Sequence, residues 1–166
     1  MKPEAARLLV EEMKRAGIDF VVTLPDSGFR QVYEEVQKDP QIRFVPVCSE
    51  GEGVNLCAGA WLGGRRPVMM MENSGLRVAS EWLARLGISF GLPVLLLMSY
   101  RGDTGDGNWW AVNHGVVMEP MLQALRIPYR VIRDLASIPG CLSRAWKSLQ
   151  ASKYHVAVVM GGETLW

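Results

Sequence analysis

Hydrophobic positions along the chain change period in a regular alternation. Ala5, Leu8, Leu9 and Met13, with Glu12 among them, follow a helical spacing, and Gly17 supplies a stop. Ile18 to Leu24 is nearly all apolar, which predicts a short strand covered on both faces. Pro25-Asp26-Ser27-Gly28 turns the chain, with Asp26 or Ser27 placed to cap a helix through Val32, Tyr33 and Val36. Asp39-Pro40 ends that helix, and Ile42 to Cys48 predicts a second strand whose late part, at Pro46, is not centrally paired. After Glu50 a helix runs through Val54, Leu56, Ala58, Ala60 and Trp61 to Gly63-Gly64. Pro67 to Met71 is a third strand, Glu72-Asn73-Ser74-Gly75 a turn, and Leu76 to about Phe90 a long helix. Val94 to Ser99 is the strongest strand, followed by a polar, glycine-rich loop from Tyr100 to Val112 that carries Trp109 and Trp110. A helix from about Gly115 to Leu125, a strand Tyr129 to Ile132, a mostly helical stretch Ser137 to Lys153 and a strand His155 to Met160 complete the pattern.

Apolar strands joined by helices predict an α/β fold. The expectation is a six-stranded, mostly parallel sheet with helices on both faces, flavodoxin-like in outline, with residues 1–166 as a single domain. Ligands of such sheets bind at the carboxyl ends of the strands. Four stretches then share one rim: Pro25–Gly28, Ser49–Gly53, Glu72–Leu76 and Tyr100–His114. They are the stretches richest in polar residues and glycine.

Composition narrows the function classes. A net charge of +1 gives no electrostatic pull toward nucleic acid, and a 21% charged fraction argues for a folded chain. Cys48, Cys57 and Cys141 form no CxxC pair and read as reduced thiols of a cytoplasmic protein. The N-terminal segment reads as an amphipathic helix and not a signal peptide, and the longest apolar run, Leu92 to Met98, is too short to span a membrane. Six tryptophans suit a protein with an interface.

Several chemistries find no support. There is no GxxxxGK[ST] and no GxGxxG after the first strand. His114 and His155 are the only histidines, and neither sits in a metal-ligand cluster. His155 reads as structural. His114 closes the long loop on the rim and is either a site residue or a helix-start residue. Gly-x-Ser-x-Gly is absent, and Thr104-Gly105-Asp106-Gly107-Asn108 reads as an ordinary polar turn. What remains is a carboxylate pair, Glu50 and Glu52, at the junction of strand and helix. Two residues apart, one is solvated and the other faces inward, and the residues alone leave open which.

Glu50 with Gly53-Val54, Ala58-Gly59-Ala60 and Gly63-Gly64 resembles the pyrimidine-binding domain of thiamine diphosphate enzymes. Leu24-Pro25-Asp26-Ser27, Ser49-Glu50-Gly51-Glu52-Gly53-Val54, Met71-Glu72-Asn73-Ser74-Gly75-Leu76 and Leu97-Met98-Ser99-Tyr100-Arg101-Gly102 bring it closer to one group. These resemble the alpha subunits of the split sulfopyruvate and phosphonopyruvate decarboxylases. The resemblance implies that Glu50 is the catalytic, cofactor-binding glutamate. It would hydrogen-bond N1′ of the aminopyrimidine and shift the ring to the imino tautomer that removes the thiazolium proton. It implies that Asn73, Ser74 and Gly75 form the turn approaching the pyrimidine, that Asp26 and Ser27 face the substrate, and that His114 joins the catalytic groups.

It further implies thiamine diphosphate with Mg²⁺ held mainly by a partner chain. That partner would be a beta subunit bearing the diphosphate-binding domain, in a hetero-oligomer that acts on a small 2-oxoacid and binds neither nucleic acid nor membrane. Two departures stand out: Arg77 replaces a usual glycine, and Cys48-Ser49 is less charged than usual. Arg77 and Arg101 are either anion-holding groups for a sulfonate or phosphonate, or solvated rim charges. The alternatives to a decarboxylase subunit are a non-catalytic scaffold that kept the fold and an unrelated flavodoxin-like binder.

Overall fold

Along β3 (Pro67–Glu72) the side chains alternate between two interiors. Val68 and Met70 join one apolar cluster, while Met69 and Met71 join another. The same division runs through β4 (Leu95–Ser99): Leu95 and Leu97 go one way, Leu96 and Met98 the other. Strands this apolar are stable only with helices on both faces.

The computed structural model describes residues 1–166. The remaining elements are α1 (Pro3–Arg15), β1 (Phe20–Thr23), α2 (Arg30–Val36), β2 (Arg43–Pro46), α3 (Glu50–Leu62), α4 (Gly75–Ala84), α5 (Val112–Ala124), β5 (Tyr129–Ile132), α6 (Cys141–Ser152) and β6 (Val156–Met160). The six strands lie in the order β2-β1-β3-β4-β6-β5, and every pairing is parallel. The expected α/β fold is therefore present, with a sheet that is parallel throughout. Helices α1, α2 and α6 cover the larger cluster, and α3, α4 and α5 cover the smaller one.

Two predicted elements end differently. The helix expected to run to Phe90 leaves α-geometry at Arg85 and continues as a π-turn over Arg85–Ser89. The cause is His155, buried just before β6. Its Nε2 lies 2.8 Å from the Leu83 carbonyl, and its Nδ1 accepts from the Val94 N–H at 2.9 Å. A side chain inserted into the helical ladder is a recognised origin of such a bulge. Gly87 makes room, since a Cβ there would sit 2.5 Å from the His155 Nε2. The other change is at α5, which starts at Val112 behind a 3₁₀ turn Trp109–Ala111, so the long loop is shorter than expected. Pro46 closes β2, an edge strand paired only with β1, as its missing donor requires.

Candidate active site

The strand order reverses between β1 and β3: β2 lies on one side of β1, and β3, later in the chain, lies on the other. The loops leaving β1 and β3 diverge there, which leaves a crevice at the carboxyl end of the sheet. A cleft of about 230 Å³ occupies the place, lined by Leu24, Pro25, Asp26, Ser27, Glu50, Glu72 and Ser74. Three of the four predicted rim stretches thus meet in one cleft.

Glu50 and Glu52 separate at the start of α3. Ser49 caps the helix, its Oγ accepting from the Glu52 N–H at 3.2 Å. The Glu52 carboxylate turns back and accepts from the Cys48 N–H at 3.0 Å. This is a capping-box arrangement, and it commits Glu52 to the helix end. Glu50, the first helical residue, is only 8% exposed and turns toward the cleft. No donor of the chain hydrogen-bonds its carboxylate, whereas Asp26 and Glu72 in the same cleft are both partnered. The side chain lies against Gly75, the first residue of α4, where a Cβ would come within 2.5 Å of its Cγ and 2.6 Å of its Oε1. The carboxylate has no partner in the chain while its oxygens stay open to the cleft, so a ligand seated there meets it directly.

Asp26 is fixed from two sides. Its Oδ1 accepts from the Gly28 N–H at 2.9 Å and its Oδ2 from the Ser99 hydroxyl at 2.6 Å. Tyr33 steadies the same turn, its hydroxyl accepting from the Asp26 N–H and from Thr23 at 3.1 Å each. Burial pushes that phenol up to about 12. Ser27 is exposed at the mouth of the cleft.

The Asn73 amide clamps β3 to β4: Nδ2 donates to the Arg101 carbonyl at 2.9 Å, and Oδ1 accepts from the Arg101 N–H at 3.1 Å. Its part in the cleft is therefore to set the path of the Asn73-Ser74-Gly75 turn. Ser74 donates to Glu72 Oε1 at 2.7 Å. His114 comes to the same carboxylate, with Nε2 at 3.7 Å from Glu72 Oε1.

Arg101, read as either an anion-holding group or a solvated rim charge, is neither: its charge is answered within the chain. Its guanidinium grips Asp106 at 2.8 and 3.3 Å and lies over the rings of Trp110 and Trp166. Asp106 also accepts from the Gly102 and Asn108 N–H groups. Desolvation alone would raise its pKa. The hydrogen bonds from Arg101, Gly102 and Asn108 outweigh that and hold the carboxyl well below the usual range. The Gly105-Asp106-Gly107 turn is thus a structural collar for Arg101.

The small residues of α3 also have a use within the chain. A Cβ on Gly51 would meet Trp82, and one on Gly53 would meet Met69, so the helix packs closely on α4 and β3. Of the three α3 glycines, Gly59 alone has open space around it.

Glu72 lies on a predicted rim stretch without a role assigned to it, and Ser99 and Tyr33 are not assigned to the site from sequence. A signal was present for the first two: Thr23, Glu72 and Ser99 are each a polar residue closing an apolar strand.

No protein-family model matches the chain. Over 161 residues it is 37% identical to the alpha subunit of sulfopyruvate decarboxylase from Methanothermobacter thermautotrophicus, covering 96% of this chain and 97% of that one. The chain belongs to the sulfopyruvate decarboxylase alpha-subunit family. A second relative of that name, from Methanococcus maripaludis, is 30% identical over 125 residues, 75% of each chain. Phosphonopyruvate decarboxylase from Streptomyces viridochromogenes is 32% identical over 98 residues, which are 59% of this chain and 25% of that longer one. These relatives support a decarboxylase subunit, and the designation alpha implies a partner subunit in this family.

Proposed function

We propose that the chain is the pyrimidine-binding alpha subunit of a thiamine diphosphate-dependent 2-oxoacid decarboxylase. Sulfopyruvate is the first substrate, and phosphonopyruvate is the chemically nearest second. The observation that carries the reading is Glu50: a carboxylate 8% exposed, unpartnered, and lodged against a glycine at a strand-end cleft. Glu50, whose carboxyl group donates or accepts according to its protonation, suits a ring nitrogen of an aminopyrimidine, with Asp26 and Glu72 beside it in the cleft. The residues therefore fit the cofactor's pyrimidine end. Thiamine diphosphate, when bound, supplies the nucleophilic carbon and the electron sink for loss of CO₂.

The chain's own residues have simpler tasks. Glu50 holds a proton against the pyrimidine edge and passes it on as the ring changes tautomer. Gly75 lets that carboxylate and the ligand approach the start of α4. Asp26, fixed by Ser99 and Gly28, presents a carboxylate of set orientation to the substrate side.

No Lys or Arg lines the cleft itself, and we assign Mg²⁺ and the diphosphate to the partner, a beta subunit. An apolar surface is available for it: Trp109, Val116, Leu62, Trp82, Ile88 and Phe90 are all exposed. Except for Trp109, on the adjoining loop, they lie on α3, α4 with its π-turn, and α5. Exposed apolar side chains in this number mark an interaction face.

The test mixes the chain with a beta chain bearing the diphosphate-binding domain, adds cofactor and Mg²⁺, and follows CO₂ release from sulfopyruvate and phosphonopyruvate. Glu50→Gln should lower turnover by about a hundredfold or more, the scale of a lost acid–base group, while the complex still assembles. Assembly without turnover on any 2-oxoacid would favour the scaffold alternative instead.

A further inference from the structure

Arg77, in the first turn of α4, reaches across to α5 and places its Nη2 2.7 Å from Nδ1 of His114. A guanidinium carries only donors, so Nδ1 must accept, and the proton of the neutral ring sits on Nε2. Nε2 points at Glu72 Oε1 across 3.7 Å, beyond hydrogen-bond reach, and that oxygen already receives the Ser74 hydroxyl. The His114 Nε2–H is therefore a donor without an acceptor in the chain, at the edge of the cleft that Glu72 and Ser74 line. Trp110 packs edge-on against the imidazole with ring centroids 6.0 Å apart, which fixes its plane.

Two charged groups face the two ring nitrogens, Glu72 from the end of β3 and Arg77 from α4, and Arg77 is the closer by an ångström. No carboxylate of the chain pairs with Arg77, whereas Asp106 pairs with Arg101.

We infer that Arg77 is a positioning residue that holds Nδ1 of His114 as its acceptor and so aims the ring's Nε2–H at a ligand oxygen in the cleft. The acceptor fitting a neutral imidazole donor is a carbonyl or carboxylate oxygen of a 2-oxoacid. This part rests on the decarboxylase reading; the state of the ring does not.

The experiment uses the ring resonances of the full chain. His114 and His155 are the only histidines, and His155, buried and bonded on both nitrogens, reports whether the fold is intact. At about pH 8, where a free histidine is neutral, the wild-type His114 should show an unprotonated Nδ1 and the proton on Nε2. In Arg77→Gly the population carrying the proton on Nδ1 should rise by about twofold or more, since the donor that holds Nδ1 as an acceptor is gone. Arg77→Lys, which keeps a cationic donor, should restore the wild-type tautomer. In the assembled enzyme, Arg77→Gly should lower kcat roughly tenfold, with KM changed much less. An unchanged tautomer population, or a changed population with unchanged kcat, overturns the inference. Wild-type turnover is the control: its absence counts against the decarboxylase reading, and the ring measurement still decides the state of His114.

Discussion

At the scale of single residues, the site depends on one contact between a carboxylate and a missing side chain. Glu50 and Gly75 come from the starts of two different helices, 25 positions apart in the chain, and they meet because β2 and β3 flank β1. Gly75→Ala would place a methyl group 2.5 Å from the Glu50 Cγ. The expected result is a displaced carboxylate, a stability loss of about 1–3 kcal/mol from overpacking, and a fall in turnover well beyond what that loss explains. Urea melts of the chain beside rates of the assembled enzyme check this, and near-normal turnover would show that Glu50 need not hold its present position.

The choice between Glu50 and Glu52 was legible in principle. Ser49-Glu50-Gly51-Glu52 has the Ser-x-x-Glu spacing of a capping box, which assigns Glu52 to the helix end by local chemistry alone. The neutralisation of Arg101 was not legible. Its partner Asp106 is close in sequence, but the clasp needs Trp110 and Trp166 on either side, and residue 166 arrives only through the fold. The Arg77–His114 contact likewise joins residues 37 positions apart.

At the scale of elements, the hydrophobic pattern located all six helices and six strands, because the four inner strands β1, β3, β4 and β6 are buried on both faces and so read as unbroken apolar runs, and the partly exposed edge strands β2 and β5 are short stretches between clear breaks. It misjudged α4 because the interruption has a tertiary cause, His155 arriving from the start of β6. That insertion makes a pH prediction. Burial lowers the His155 pKa, and the hydrogen bond with the Leu83 carbonyl only partly opposes this. The folded value is thus below the unfolded one of 6.5, and the unfolded chain binds the proton more readily. Stability from this group is complete above about pH 6.5 and is lost as pH falls through the folded value, by up to about 1.4 kcal/mol per pH unit. Urea midpoints of the isolated chain should fall between about pH 7 and pH 5. His155→Gln, whatever its own midpoint, should show a flatter dependence, and equal slopes would mean that another group carries the acid sensitivity.

At the scale of the molecule, the two faces of the sheet differ in what they finish. The cluster under α1, α2 and α6 has 28 buried residues, and the one under α3, α4 and α5 has 19. The exposed apolar residues gather on the smaller side and its adjoining loop, where a partner chain would complete the burial. Trp109 is 86% exposed there. Trp109→Ser should leave the melting temperature of the isolated chain nearly unchanged, since exposed substitutions cost within about 0.5 kcal/mol. It should weaken binding of the beta chain by about tenfold or more, as loss of an aromatic anchor does. Titration calorimetry separates the two effects, and unaltered binding would place the interface elsewhere. The unequal faces also bear on how such a protein tolerates change. Helix α3 bears Glu50, α4 bears Gly75 and Arg77, and α5 bears His114, all on the side with the smaller core. Apart from the Asp26 turn, the larger core carries none of the cleft. Substitutions that raise thermal tolerance can therefore accumulate behind α1 and α6 while the chemistry in front is left alone, which makes that hidden side the natural starting point for a more robust variant.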